Sequence, residues 1–100
     1  MGTFKGCGNL LYADLSHWTL SNVSSVSYMF SGCVRVSTII LPKGLRPTYA
    51  KNMFNDCNAL TQVNIKDIDF SQCIDMSSAF ANCYKLTVIP SLNTGMCNNL

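Results

Sequence analysis

Four versions of one five-residue phrase punctuate the chain: TFKGC at 3–7, MFSGC at 29–33, MFNDC at 53–57 and AFANC at 79–83. Their cysteines, Cys7, Cys33, Cys57 and Cys83, stand 26, 24 and 26 residues apart. A period of about 25 residues is that of a repeat architecture: one unit cannot bury its apolar face alone, and stacked neighbours bury it together.

The register continues beyond each cysteine. Three residues on stand Leu10, Val36, Leu60 and Leu86; six on, Ala13, Ile39, Val63 and Ile89; eight on, Leu15, Leu41 and Ile65, with Ser91 breaking the series. The result is an L-x-x-L-x-L cadence whose second half alternates, as a short strand with one buried face does. It predicts parallel strands near 11–15, 37–41, 61–65 and 87–90. A different cadence precedes each phrase. Val23, Val26, Met29 and Phe30 recur as Cys73, Met76, Ala79 and Phe80, with Pro47, Ala50, Met53 and Phe54 between. This spacing predicts a short amphipathic helix of about two turns. The fold expected is therefore α/β: a right-handed leucine-rich-repeat solenoid of about four coils, with short parallel strands on one side and short helices on the other. The units would run about 4–29, 30–53, 54–79 and 80–100, one segment over 1–100.

Six cysteines in 100 residues first point to a disulfide scaffold. The period redirects that reading, since Cys7, Cys33, Cys57 and Cys83 share one slot in successive units. Thiols pack as small apolar groups, so a structural ladder is expected from these four together with Phe30, Phe54 and Phe80. Cys73 takes the Val23 slot and Cys97 follows it 24 residues later.

The bulk composition narrows the function. Apolar residues make up 48% of the chain and charged residues 12%, enough to build a core. Lys and Arg are scattered, which argues against nucleic acid as a partner. No apolar run reaches the roughly 20 residues of a membrane-spanning helix, and the first residues lack the layout of a secretion signal.

The stretch DLSHWTLSNVSSVSYMFSGCVRVSTIILP, 14–42, resembles the BspA-type leucine-rich repeat, built on L-D-L-S-x-F/W-x-T-S-N-V-x-x-M-x-x-M-F-x-x-C. The likeness extends from Phe4 to Leu100. The unit ILPKGLRPTYAKNMFNDC is two residues shorter and IPSLNTG is irregular. The resemblance implies a non-catalytic, protein-binding or structural segment of an adhesin-like protein at the cell surface, or secreted, of bacteria or protists. It implies no catalytic residue and no cofactor. The chain then reads as cut from a longer array, with a host or microbial surface protein as ligand and end-to-end self-association of the segment. Two alternatives stand beside it: a small secreted, disulfide-stapled effector or inhibitor, and a phage or prophage tip protein built on the same repeat.

The residues between the buried strand positions form two columns: Tyr12, Thr38, Gln62 and Val88, and Asp14, Ile40, Asn64 and Pro90. An exposed parallel sheet is where stacked repeats usually bind partners, so these eight are the candidate protein-binding face. Asp14, Ser16 and His17 lie close enough to invite a catalytic-triad reading, but a strand end followed by a loop explains them better. Asp67 and Asp69 would need more oxygens than five carboxylates readily supply to hold calcium. A lone histidine and the absence of C-x-x-C argue against zinc. Trp18 shares its slot with Ile68 and is expected in the core.

Overall fold

The computed structural model describes residues 4–20 and 22–86. Val88, Pro90, Cys97 and the strand expected at 87–90 lie outside the described residues.

Three strands form an open parallel sheet: β1 (Tyr12–Asp14), β2 (Thr38–Ile40) and β3 (Gln62–Val63), in the order β1-β2-β3. Tyr12 pairs with Thr38 and Thr38 with Gln62; Ala13 pairs with Ile39 and Ile39 with Val63. Neighbours in the sheet are thus one repeat apart. The strands are shorter than the spacing suggested. Ala13 and Ile39 are buried beneath the sheet, and the cadence positions Val36, Leu60, Leu15, Leu41 and Ile65 are buried with them.

The expected helices do not form. Among the described residues there is no α-helix, only one 3₁₀ turn at Ile65–Asp67. The expected α/β solenoid of about four coils is therefore corrected to a three-stranded open sheet backed by chains of tight turns. The reason lies in the destination of the backbone N–H groups. In an α-helix each donates four residues back along the same segment. Here Val26, Tyr28, Phe30 and Gly32 donate to the carbonyls of Tyr49, Lys51, Met53 and Asn55 in the next repeat. The residues that follow the last three of these, Met29, Ser31 and Cys33, donate three back within their own turn. The pattern recurs one repeat later, from Ala50, Asn52, Phe54 and Asp56 to Asp75, Ser77, Ala79 and Ala81.

Donating alternately across and back requires left-handed backbone at fixed places. Two columns adopt it: Tyr28, Asn52 and Ser78, two residues before each phenylalanine, and Gly6, Gly32, Asp56 and Asn82, two after. The second column holds Gly, Gly, Asp and Asn, the residues that enter this region at least cost. A left-handed residue every fourth position cannot belong to an α-helix. The apolar spacing of three, three and one is shared by a helix and by this turn chain, so periodicity alone does not separate them.

The core runs through the stack. Phe4, Phe30, Phe54 and Phe80 lie ring on ring, with centroids 5.1, 5.8 and 5.3 Å apart and interplanar angles of 3°, 5° and 20°. Offset stacking at such distances adds to the apolar burial of each ring. Val26, Met29, Cys33, Ala50, Met53, Cys57, Cys73, Met76 and Ala79 fill the space around them, all buried. Trp18 departs from its expected place: its slot-mate Ile68 is buried, but Trp18 is 44% exposed, its ring tilted against Phe4 at 5.7 Å.

Candidate functional site

The candidate face is built by strand alternation. Because Ala13, Ile39 and Val63 point inward, Tyr12, Thr38 and Gln62 point outward in one register row. Asp14 and Ile40 form the start of a second row. Tyr12 is 54% exposed, Gln62 and Asp14 are exposed, and Thr38 and Ile40 are half-buried. Five of the eight candidate residues are thereby brought together.

Asn64 is diverted from the face. Its Oδ1 accepts the Leu41 N–H at 2.6 Å and its Nδ2 donates to the Leu41 carbonyl at 2.9 Å. One repeat earlier, the corresponding bond runs from the Leu15 N–H to the Ile40 main-chain carbonyl at 2.7 Å. At Asn64 the backbone turns into the 3₁₀ segment, with φ −85 and ψ 59, and the side-chain amide replaces the main chain. The same Nδ2 donates to Asp67 Oδ2 at 3.0 Å. Asn64 holds the sheet together rather than presenting a contact.

A column that the alternation rule missed extends the face. Leu11, Ser37 and Thr61 precede the three strands and are all exposed, Leu11 by 62%. The Ser37 N–H donates to the Leu11 carbonyl and the Thr61 N–H to that of Ser37, which puts them in register. The only sequence signal for them is their common place four residues after each cysteine. Beside the face, a cavity of about 440 Å³ opens between β2, β3, Phe80 and Leu86.

The acidic residues that invited chemical readings serve turns. Asp14 Oδ1 accepts the Ser16 N–H at 2.9 Å, Asp69 Oδ1 that of Ser71, and Asp75 Oδ1 that of Ser77. The serine hydrogen bonds hold all three carboxyls below their ordinary range. Asp14, Ser16 and His17 are thus one of three D-x-S turns. Asp67 bonds Asn64, and Asp69 faces Arg46 at 3.5 Å. The two carboxylates serve separate partners.

The cysteine slot carries its own hydrogen-bond ladder. The thiol of Cys33 donates to the Phe4 carbonyl at 3.0 Å, Cys57 to Phe30 at 3.3 Å and Cys83 to Phe54 at 3.1 Å. Each bond ties a phrase to the one before it. Cys33 and Cys57 are buried, Cys83 is half-buried and Cys7 is exposed. Desolvation is the first cause that raises the thiols of Cys33, Cys57 and Cys83, and Cys57 is raised furthest. Buried neutral thiols of this kind are poor nucleophiles.

The phrase and its ladder recur through the described chain, and a family model matches nearly the whole sequence. It is described as "Mycoplasma protein of unknown function, DUF285" and matches residues 1–99. The chain belongs to this family. No curated protein and no solved structure matches it. Within this DUF285 chain, no helix among the described residues is long and apolar enough to cross a membrane.

Proposed function

We propose that this DUF285 chain is a non-catalytic, protein-binding segment of an adhesin-like cell-surface protein, with residues 1–100 forming one repeat segment. The observation that carries the reading is the outward row Tyr12, Thr38 and Gln62 with Asp14 and Ile40 beside it. It is a fixed array of one aromatic, one aliphatic and several polar side chains, held by strands rather than by mobile loops. Mixed aromatic and polar surfaces of this kind suit protein contacts. The exposed Leu11 adds apolar area at one margin. The likeness of DLSHW and its surroundings to BspA-type repeats supports the same role. The groups that the sequence might have offered for chemistry are engaged elsewhere: Asp14 by the Ser16 turn, and the thiols of Cys33, Cys57 and Cys83 by carbonyls of the preceding repeat.

The test is attachment of beads coated with the chain to cultured host cells and to immobilised extracellular-matrix proteins. Tyr12→Ala and Ile40→Lys should remove attachment while leaving the melting temperature nearly unchanged. Lys43→Ala, exposed in the loop after β2, should not alter it. Attachment that survives both face variants would refute this assignment of the face.

A further inference from the structure

The five carboxylates of the chain are not used alike. Asp67 is bonded by the Asn64 amide at 3.0 Å and Asp56 by the Asn82 amide at 2.6 Å. Asp69 faces Arg46, and Asp75 accepts both the N–H and the hydroxyl of Ser77. Asp14 is the one that stands on the outward face of the three-stranded sheet. The Ser16 turn holds its Oδ1, and among the described residues no lysine or arginine pairs with it. The bonds from Ser16 keep its carboxyl below the ordinary range, so it is charged at neutral pH. His17, three residues on, is the titratable neighbour whose charge bears on it.

Tyr12 lies two residues earlier on the same strand. Strand residues two apart point to one side, with their Cα atoms about 6.6 Å apart. The buried Ala13 between them turns both outward. Among the described residues no cation and no second ring lies over the Tyr12 ring. Elsewhere in the protein the Lys5 ammonium sits 5.0 Å from the centroid of the Tyr28 ring. That is the attraction of a cation for the negative face of an aromatic ring, effective within about 6 Å. The other described residues of the sheet face, Leu11, Ser37, Thr38, Ile40, Thr61 and Gln62, carry no charge. His17 and Lys43 stand in the loops that follow β1 and β2. The face therefore offers one fixed negative charge beside one open aromatic ring.

We propose that the sheet face takes a basic protein ligand, an arginine of which stacks on Tyr12 and donates to the Asp14 carboxylate. This rests on the sheet face being the binding surface, and it names the chemistry that the surface selects. Because Ser16 holds Oδ1, Oδ2 is left to accept from the ligand. A guanidinium is planar and carries several N–H donors, so it can lie on a ring and bond a carboxylate at once. An ammonium is a compact point charge that cannot stack in this way. A neutral ligand leaves Asp14 without a use, and an acidic one meets a like charge.

The test is an NMR titration of the isotope-labelled chain with four short peptides of one design, carrying arginine, lysine, glutamine or glutamate. The arginine peptide should shift the signals of Tyr12 and Asp14 at the lowest concentration and the lysine peptide at a higher one. The glutamine and glutamate peptides should leave them in place. Asp14→Asn keeps the acceptor for the Ser16 N–H and removes the charge. It should weaken the arginine peptide about three- to five-fold, as loss of an exposed ion pair does. Asp75→Asn, the same change in a D-x-S turn off this face, should not. Tyr12→Phe should bind as the parent does, and Tyr12→Leu more weakly. No response to the arginine peptide, an equal response to glutamine or glutamate, or an unaltered Asp14→Asn variant would overturn the proposal. Bead attachment reads the face separately. Attachment lost in Tyr12→Ala but kept in Asp14→Asn would leave the face standing and remove the basic ligand. Arginine bound at Tyr12 and Asp14 without any attachment of beads would keep the cation site and remove the adhesive role.

Discussion

The turn side and the strand side stack the same repeats by different means. On the turn side the pattern barely changes from joint to joint. Alternate N–H groups cross to the next repeat, a left-handed residue sits two before and two after each of Phe30, Phe54 and Phe80, and a thiol reaches back to a carbonyl. On the strand side the pattern thins along the chain. β1 and β2 have three residues each and β3 two, and at Asn64 a side-chain amide stands in for the main chain. The register of this protein is therefore carried by the F-x-x-C phrase, and the strands follow it. The side that looks irregular, without helix or strand, is the more repetitive of the two.

Truncating the ring column should break this comparison most severely. Phe54 is buried and stacked on both faces, by Phe30 and Phe80. Phe54→Ala should cost about 3–5 kcal/mol in chemical denaturation, the usual range for a large core truncation. Thr38→Ala, on the sheet face, should stay within about 0.5 kcal/mol, as for surface changes elsewhere. Similar losses for both would mean that the strands hold the register after all.

A smaller effect is expected where the strand side is patched. Asn64→Ala leaves the Leu41 N–H and carbonyl without their partner, a loss of about 1–3 kcal/mol for part-buried polar groups. Asn64→Asp keeps the acceptor for the Leu41 N–H but cannot donate to its carbonyl, and it faces Asp67. It should therefore be no more stable than the alanine variant. Hydrogen exchange at Leu41 reads the effect directly, and an unchanged rate in Asn64→Ala would show that the amide is dispensable.

The mildest effect sharpens the role of the thiols. Burial raises the Cys33, Cys57 and Cys83 thiols in the folded state, so folding favours their protonated forms. Stability should be flat while thiols of the unfolded chain stay protonated. It should fall as the pH passes about 8.5, where unfolded thiols ionise and folded ones do not. Cys57→Ala should flatten this alkaline decline when unfolding is followed from pH 7 to about 10. An equal decline in the variant would place its cause outside the ladder.

Much of this arrangement was legible in the residues. The spacing of the phrases placed Tyr12, Thr38 and Gln62 in one row, because a fixed period plus strand alternation leaves one register that turns Ala13, Ile39 and the half-buried Val63 inward. The cadence after each cysteine named Leu15, Val36, Leu41, Leu60 and Ile65, which are buried. The helices were misread because apolar spacing reports only which side chains face inward. It is silent on where an N–H points. The signal against them was present in the Gly6, Gly32, Asp56 and Asn82 column, a left-handed set at fixed spacing. Trp18 was misplaced because its slot is bulky in the third repeat, as Ile68, but is Gly44 in the second, so the slot does not impose burial.

What the sequence by itself determined is the period, the inward-facing set and the register, since each follows from which residues recur and how far apart. Tertiary structure alone decided that the segments before each cysteine become turns. The N–H groups of Tyr28, Asn52 and their equivalents meet carbonyls of a neighbouring repeat, and such acceptors exist only once the repeats are stacked. It decided the use of Asn64 for the same reason. Its amide is free to face outward until the Leu41 main chain lies beside it and the turn at residues 65–67 withdraws the carbonyl that would otherwise have served.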